Sequence, residues 1–269
     1  MTMSMSMSTS TSHAHPTPRT LHLEAVGRTH TGWKRHQNED EHAVCPELGL
    51  FMVADGMGGH AAGEIAARVA VAAVTAAVGA VTAAGPPSVR PSRSSAGPLL
   101  VSAIERANAN VFAAAQQDAE LHGMGTTVVA ALAHGGRVAV AHVGDSRAYL
   151  FRGRRLQRLT EDHTLLNDCR NAGIDPAGRS HLQRYLHALS RAVGPHDSVQ
   201  VDTRLVQPEA GDILLLCSDG LTCVVDDREI GAVLVGGPDL AVAADRLIAR
   251  ANEHGGPDNV TVVLVRWVG

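Results

Sequence analysis

The stretch TTVVAALAHGGRVAVAHVGDSRAYLFRG, residues 126–153, decides the fold. It contains two apolar runs rich in Val and Ala, Val128–Leu132 and Val138–Val143, and the pair Gly135-Gly136 between them permits a tight turn. A third run, Ala148–Phe151, follows almost at once. Successive hairpins of this kind indicate antiparallel sheets rather than a doubly wound parallel sheet.

Further strand-like runs and helical patterns arrive in blocks along the chain. The strand-like runs are bounded by Gly, Asp or Pro, and they cover Leu50–Ala54, Ile213–Cys217 and Val260–Val265. Helical patterns cover Glu64–Val78, Leu99 to about Leu121, Thr164–Asn171 and Leu240–Glu253. Gly255 and Gly256 are the expected C-cap of the last helix. Strands in blocks and helices in blocks predict the α+β class with a layered sandwich.

The composition is that of a globular protein with one large domain or two small ones. Hydrophobic residues make up 45% of the 269 residues and aromatic residues only 3%, so the core must be built from aliphatic side chains. The net charge of −4 argues against a surface for nucleic acid or anionic membranes. The four cysteines lack disulfide or zinc spacing and are expected to be reduced thiols in the cytoplasm; they are Cys45, Cys169, Cys217 and Cys223.

Two stretches are expected to lie outside regular structure. Residues 1–20 form a Met/Ser/Thr-rich tract that we expect to be a disordered tail before a domain of residues 21–269. Residues 85–98 are rich in Pro, Ser and Gly and predict a mobile loop within that domain. The longest apolar run, Val69–Val81, falls short of the ~20 residues that span a bilayer, and the N-terminus lacks a signal pattern.

Four aspartates lie next to glycine, or two residues from it, at the ends of apolar strands. Asp55 follows the first strand, Asp145 and Asp219 follow two later strands, and Asp258 precedes the last one. If these carboxylates share a cleft, their mutual repulsion is unfavourable unless cations occupy it. Ligands of oxygen alone select Mg²⁺ or Mn²⁺ over zinc. A single Asp-Gly pair is more often an ordinary turn, but four pairs at core strands favour a metal site.

A fifth polar cluster, GWKRHQNED at residues 32–40, places one guanidinium and two carboxylates close together. The fork of Arg35 suits the oxygens of a phosphate group. The alternative is that Arg35 pairs with Glu39 on a surface turn, and the cluster by itself leaves both interpretations open.

Together these motifs resemble the PPM/PP2C family of metal-dependent Ser/Thr protein phosphatases, in its compact bacterial branch. The resemblance covers nearly everything after Thr20, in the family's order. It rests on GWKRHQNED (32–40), FMVADGMGGHAAGE (51–64), GMGTTVVAAL (123–132), VGDSRAYL (143–150), LTEDHTL (159–165), LSRAVG (189–194), LLLCSDGLT (214–222) and GGPDNVTVVLV (255–265). It implies a four-layer α-β-β-α sandwich with two mainly antiparallel central sheets.

The resemblance also implies a role for each matching residue. Asp55 would bridge two Mn²⁺ or Mg²⁺ ions, with the Gly56 carbonyl as a further ligand, and Asp219 and Asp258 would complete the site. Glu39 and Asp40 would hold waters on the metals, and Arg35 would grip the phosphate. Asp145 would help Asp219 to bind a weaker third ion. A water activated by the two metals would then hydrolyse phosphoserine or phosphothreonine directly.

Several positions depart from the family pattern or stay open. Met57 stands where some family members have a histidine proposed as the general acid, and His60 is not promoted in its place, so the proton donor is open. Residues 166–194 match a mobile flap that affects substrate choice. Within it, Cys169 is interpreted as an ordinary helix-face cysteine. His163 is interpreted as the source of a structural hydrogen bond inside its turn.

Other reaction classes are excluded or disfavoured by the sequence. No cysteine has an arginine six positions later, and GxSxG and Walker A motifs are missing, which excludes three common hydrolase mechanisms. A pseudophosphatase that only binds phosphoproteins would lack metal aspartates, and all are present. A phosphatase for small phosphate esters would share the same site. Phosphorylated proteins, a bacterial Ser/Thr kinase among them, are the expected partners of a monomeric, stand-alone signalling enzyme.

Overall fold

The computed structural model describes residues 22–58, 62–83, 96–174, 185–235 and 239–269. They form two sheets in which every strand pairing is antiparallel. The first sheet has the order β1-β11-β10-β7-β8, and its strands are β1 His22–His30, β11 Val260–Val268, β10 Ile213–Cys217, β7 Arg147–Arg152 and β8 Arg155–Arg158. The second has the order β2-β3-β5-β6-β9, with a short β4 beside β3; its strands are β2 Asp40–Cys45, β3 Leu50–Met57, β4 Gly125–Thr126, β5 Val128–His134, β6 Arg137–Val143 and β9 Asp202–Val206.

Helices cover the outer faces of both sheets. The described helices are α1 Ala62–Ala83, α2 Ala96–Gln117, α3 Leu165–Asn171, α4 Asp219–Thr222, α5 Asp227–Val235 and α6 Leu240–Glu253. The helices α1 and α2 pack on the second sheet, and α5 and α6 pack beside the first. The predicted α-β-β-α sandwich is confirmed.

The alternation of side chains along the strands builds three separate cores. On β3, Leu50, Met52 and Ala54 face α1 and α2, whereas Phe51 and Val53 face the other sheet. This is the two-residue period of a strand that is buried on both faces. The core between the sheets is aliphatic apart from Phe51 and Trp267, as the low aromatic content predicts.

Several predicted boundaries differ from the structure. The helix predicted at Glu64–Val78 runs over Ala62–Ala83, and the helix predicted from Leu99 starts at Ala96, inside the stretch predicted as a loop. Alanine, a strong helix former, is present at each of these extensions, at Ala62, Ala80, Ala83 and Ala96. The helix α6 ends as predicted at Gly255 and Gly256: the Gly255 N–H donates to the Asn252 carbonyl at 2.9 Å and the Gly256 N–H donates to the Ala251 carbonyl at 3.0 Å, just after the C-cap residue His254. The predicted tail, and residues 85–95 of the predicted loop, lie outside the described residues.

The helix α1 is long and apolar enough to cross a membrane by length and composition, unlike the run predicted from the sequence. Core helices of globular proteins pass the same test. In this structure its alanine-rich face, including Ala66, Ala70 and Val74, is buried against the second sheet and α2. Packing therefore accounts for this buried face, which makes up 33% of the apolar window of α1.

Candidate metal centre

The carboxylates predicted from the sequence come from the ends of strands in both sheets. Asp40 starts β2 and lies opposite Asp55 near the end of β3. Asp219 begins α4 directly after β10, and Asp258 lies two residues before β11. Since β10 and β11 are neighbours in the other sheet, the strand ends of the two sheets converge at one edge of the sandwich.

One cavity of about 330 Å³ collects these side chains. Of the predicted site residues, it is lined by Arg35, Glu39, Asp55, Gly56, Asp145, Asp219 and Asp258. Met57, which replaces the histidine of some family members, also lines it. His60 lies outside the described residues. The structure thus brings every predicted ligand position but Asp40 to one surface.

Asp40 lies behind this cavity and is only 8% exposed. Its Oδ2 accepts a hydrogen bond of 2.7 Å from the Ser218 hydroxyl, while its Oδ1 has no partner within the described part of the chain. Burial raises the pKa of Asp40 to about 7, and the charges on Asp219 and Asp258 add to this, against hydrogen bonds from Thr261 and Ser218. A buried carboxylate oxygen without a partner is the kind of atom that a hydrated cation would satisfy.

The cavity carboxylates repel one another strongly. Burial, followed by the charge on Asp40, holds the pKa of Asp55 well above its usual range. Burial and the charge on Asp258 raise the pKa of Asp219. Burial and the charge on Asp219 raise the pKa of Asp145 to about 7. A set of oxygen donors that resists ionisation without a counter-ion fits hard divalent cations, and Mg²⁺ and Mn²⁺ prefer such ligands.

Close backbone contacts explain the glycine next to Asp55. A Cβ atom on Gly56 would lie 2.2 Å from the Gly63 carbonyl oxygen and 2.6 Å from the Glu39 carbonyl oxygen. The Gly56 N–H donates to that same Glu39 carbonyl at 3.1 Å. Glycine is therefore required for β3 to reach the start of α1 and the turn that carries Glu39.

Arg35 reaches the cavity from the turn between β1 and β2. Its Nη2 lies 2.7 Å from Asp258 Oδ2, and its side chain is half exposed. The guanidinium therefore faces the carboxylates and keeps donors accessible to an incoming anion. The sequence left open a surface ion pair between Arg35 and Glu39. The ion pair that the structure shows for Arg35 is with Asp258.

Asn259 is a site residue that sequence reasoning missed. Its Nδ2 donates to the carbonyls of Thr31 at 2.9 Å and Gln37 at 2.8 Å, and its Oδ1 accepts from the Glu39 N–H at 2.8 Å. Asn259 is buried, and its three bonds fix the turn that carries Arg35 and Glu39. Asn259 could have been identified from the motif GGPDN, in which it directly follows the predicted ligand Asp258.

His163 has a structural role, as predicted, but its hydrogen bond joins the turn at Gly144 and does not lie inside its own turn as predicted. Its Nδ1 accepts a hydrogen bond from the Gly144 N–H at 3.1 Å, so the proton is on Nε2, which lies 3.3 Å from Asp202 Oδ2. Its ring stacks on His142 with centroids 4.5 Å apart. Burial and the neighbouring His142 lower the pKa of His163 to about 4, so the ring is neutral at pH 7.

His142, His163 and Asp202 have ligand atoms within 4.8 Å of one another, as a metal site requires. However, Gly144 fixes the tautomer in which Nε2 of His163 is protonated, and His142 Nε2 is engaged by the Glu161 carbonyl at 2.7 Å. The two rings are nearly parallel, at 22°, so their in-plane lone pairs do not converge. This cluster holds the turn that carries Asp145 rather than a cation.

The flap region is described in part. Residues 165–171 form α3, with Thr164 as the N-cap whose side chain accepts from the Asn167 N–H. Cys169 is buried on this helix, as predicted for a helix-face cysteine. His187 and Leu189 line the cavity, so the far end of the predicted flap lies at the candidate site. Residues 175–184 are outside the described part.

Comparison with known proteins points in the same direction as this geometry. A sequence model described as protein phosphatase 2C matches residues 26–260. The serine/threonine phosphatase stp of Listeria monocytogenes is 37% identical over 246 residues, which cover 90% of this chain and 95% of the relative. The serine/threonine protein phosphatase PstP of Mycobacterium tuberculosis is 38% identical over 250 residues, or 91% of this chain and 45% of the longer relative.

Solved structures show the same architecture. The crystal structure of the M. tuberculosis serine/threonine phosphatase PstP/Ppp has a TM-score of 0.80 and 33% identity, and the match covers 93% of this chain and 100% of that one. The catalytic domain of PstP in complex with two manganese ions has a TM-score of 0.76 and 35% identity, with the same coverage.

Proposed function

The chain belongs to the protein phosphatase 2C family, and on that premise we propose that its carboxylate cavity hydrolyses phosphoserine and phosphothreonine in proteins with divalent cations bound. One observation carries this proposal. Asp55 from one sheet and Asp219 and Asp258 from the other line a single cavity together with Arg35. Carboxylates for cations and a guanidinium for the phosphate are the two parts that metal-assisted phosphoryl transfer to water needs.

The residues divide into those that hold cations and those that position them. Asp55, the Gly56 carbonyl, Asp219 and Asp258 would hold two Mn²⁺ or Mg²⁺ ions, and Asp145 with Asp219 would hold a weaker third ion. Glu39 and Asp40 would orient water around them. When bound, the cations supply a water of lowered pKa and offset the charge of the phosphate.

Arg35 binds and orients the phosphate in this proposal. Its Nη2 is held 2.7 Å from Asp258, which keeps the guanidinium over the cavity before substrate arrives. Asn259 fixes the turn that carries Arg35 through bonds to Thr31 and Gln37. A fixed guanidinium loses less conformational entropy on binding, so it contributes more to affinity.

The expected setting is reversal of a bacterial Ser/Thr kinase. The named activities of the relatives are those of serine/threonine phosphatases, which supports phosphoproteins as the substrate class. We expect a monomer in the cytoplasm that acts on such a kinase and on the kinase's substrates.

The test is hydrolysis of a phosphothreonine peptide with Mn²⁺, without added metal, and after chelation. We expect hydrolysis of the peptide only in the presence of Mn²⁺. The activity should return when Mn²⁺ is added back after chelation. Asp55→Asn should abolish this turnover, whereas Asp245→Asn, at a surface carboxylate paired with Arg28, should leave it intact. Binding of the phosphopeptide without turnover would instead indicate a binding module, and faster hydrolysis of sugar phosphates would indicate a small-ester phosphatase.

A further inference from the structure

A second cavity, of about 150 Å³, lies beside the candidate metal centre. The two cavities share Asp145, Asp219 and His187, so they are adjacent. The far wall of the second cavity contains three arginines, Arg147 on β7, Arg158 at the end of β8 and Arg170 on α3. None of these arginines has a role in the metal centre.

Two of these arginines, Arg147 and Arg158, pair with the same carboxylate, that of Asp162. Asp162 accepts from Arg147, with Nη2–Oδ2 at 2.7 Å and Nε–Oδ1 at 3.0 Å, and it also accepts from Arg158 Nη2. One carboxylate therefore serves two guanidinium groups. The Nε of Arg158 is buried and has no acceptor in the part of the chain that the structure describes. An N–H left in this state costs free energy until an acceptor arrives.

Arg170 adds a third positive charge at the mouth of the cavity. It is exposed on α3 and forms no ion pair with any described residue, unlike Arg147 and Arg158. Once cations neutralise Asp145 and Asp219, Asp162 is the one remaining acidic side chain among the described residues that line this cavity, and it faces three arginines. The cavity then has a surplus of two positive charges, which matches a phosphate monoester dianion.

Arg147 is held in place before any ligand binds. Arg147 Nη1 donates to the Tyr149 hydroxyl at 3.2 Å, and that hydroxyl donates to Asp227 Oδ1 at 3.0 Å. Tyr149 is fully buried in the core of the first sheet. Because Nε and Nη2 of Arg147 already donate to Asp162, the open guanidinium fork for phosphate oxygens is that of the exposed Arg170.

We propose that this cavity is a second anion subsite, which binds a further phosphoryl group on the same substrate segment while the first is hydrolysed at the metal centre. The inference rests on the proposed function, because the substrate must enter the shared edge at Asp145 and Asp219. It specifies the substrate class further: segments that carry two phosphorylated residues close together in sequence. Free phosphate has the same chemistry and is the alternative source of the anion.

The test compares peptides that carry one phosphothreonine with peptides that carry two, spaced one, two or three residues apart. For the wild-type protein we expect KM to be about tenfold lower for a doubly phosphorylated peptide at one of these spacings, with kcat little changed. Arg170→Gln should remove that advantage and leave the singly phosphorylated peptide unaffected. Arg106→Gln, at an exposed arginine on α2 away from both cavities, is the matched control and should keep the advantage.

Equal KM for singly and doubly phosphorylated peptides at every spacing would overturn the subsite, as would an advantage that survives both Arg170→Gln and Arg158→Gln. Arg170→Gln could weaken inhibition by inorganic phosphate without changing KM for the doubly phosphorylated peptide. In that case the cavity binds free phosphate, and the proposal of a substrate subsite is wrong. Failure of the proposed function looks different, because then no peptide is hydrolysed. Fluorescence polarisation of labelled peptides, which needs no turnover, still decides the subsite in that case.

Discussion

Asp219 lies where the two cavities meet. It follows β10, lines both cavities, and its pKa is raised by burial and by the charge on Asp258. A carboxylate in this position is unfavourable in the metal-free protein and favourable only when a cation is bound. One substitution of Asp219 can therefore distinguish its effect on the stability of the metal-free protein from its effect on catalysis.

We expect Asp219→Ala to abolish metal-dependent hydrolysis while the protein stays folded. The loss should exceed the roughly 10–100-fold that losing an outer partner of a metal ligand costs. Without metal, the variant should unfold at a temperature a few degrees higher, because one like charge has been removed from the cluster. Peptide hydrolysis with Mn²⁺ and calorimetry in chelator measure the two effects.

Asp245→Ala, at an exposed carboxylate, is the control for a simple change of net charge. Wild-type turnover in Asp219→Ala would contradict the site assignment. A lower melting temperature in chelator would contradict the claim of repulsion.

At the scale of elements, the turn between β6 and β7 shows how the site is supported from outside. Gly144 has φ of +104°, and a Cβ atom there would lie 2.6 Å from Thr127 Cγ2. The Gly144 N–H donates to His163 Nδ1 and its carbonyl accepts from the His163 N–H. The Thr127 hydroxyl in turn accepts from the Asp55 N–H. Asp145 is thus held relative to Asp55 by a neighbouring turn and a remote histidine.

We expect His163→Gln to weaken the binding of the third cation more than it lowers kcat at saturating metal. Loss of the Gly144 bond leaves a buried N–H without its acceptor, which costs about 1–3 kcal/mol of folding free energy. Titration calorimetry with Mn²⁺ should show reduced affinity at the weakest site, and KM for Mn²⁺ should rise while kcat changes little.

His122→Gln, at an exposed histidine after the 3-10 turn 119–121, controls for histidine loss alone. If His163→Gln keeps wild-type Mn²⁺ affinity, or loses kcat and metal affinity in equal proportion, the positioning role is wrong.

The sequence predicted elements well where the local pattern was strong. Ile213–Cys217 was predicted at its observed limits, because five consecutive apolar residues between polar neighbours leave little alternative. The strands β2, β4 and β8 were not predicted, and neither were β1 and β9. In β1 and β9, exposed positions, including Glu24 and Arg204, obscure the alternation, and both are edge strands that depend on a neighbour for their conformation.

The metal-site candidates were predictable for a related reason, since Asp-Gly pairs at strand ends are visible in one short window. The contacts of Asn259 with Thr31 and of His163 with Asp202 join residues far apart in sequence. No local pattern marks them.

For the whole molecule, the site couples the packing of the two sheets to cation binding. Asp40 and Asp55 belong to one sheet, while Asp219 and Asp258 are attached to β10 and β11 of the other. The apolar layer between the sheets, which includes Phe51, Leu216 and Val263, forces these charges together whether or not metal is present. Metal-free folding therefore bears a repulsion that should depend on pH.

That dependence has a definite sign for Asp145, whose pKa is raised to about 7 from an unfolded value near 4. Between about pH 4 and pH 7 the folded protein binds more protons at this group than the unfolded chain, so its contribution lowers stability as pH rises. The slope is at most about 1.4 kcal/mol per pH unit for one group. His163, with its pKa lowered to about 4, acts in the opposite direction, so wild type must be compared with a variant.

In chelator, we expect the unfolding free energy of wild type to fall relative to that of Asp145→Asn as pH rises from 4 to 7, and the difference to level off above pH 7. Urea denaturation at each pH measures it. With saturating Mn²⁺ the trend should reverse, because cations compete with protons for the same carboxylates and stabilise the folded state as those protons leave. A difference between the two proteins that does not change with pH in chelator would show that Asp145 is not subject to the repulsion on which the cation site depends.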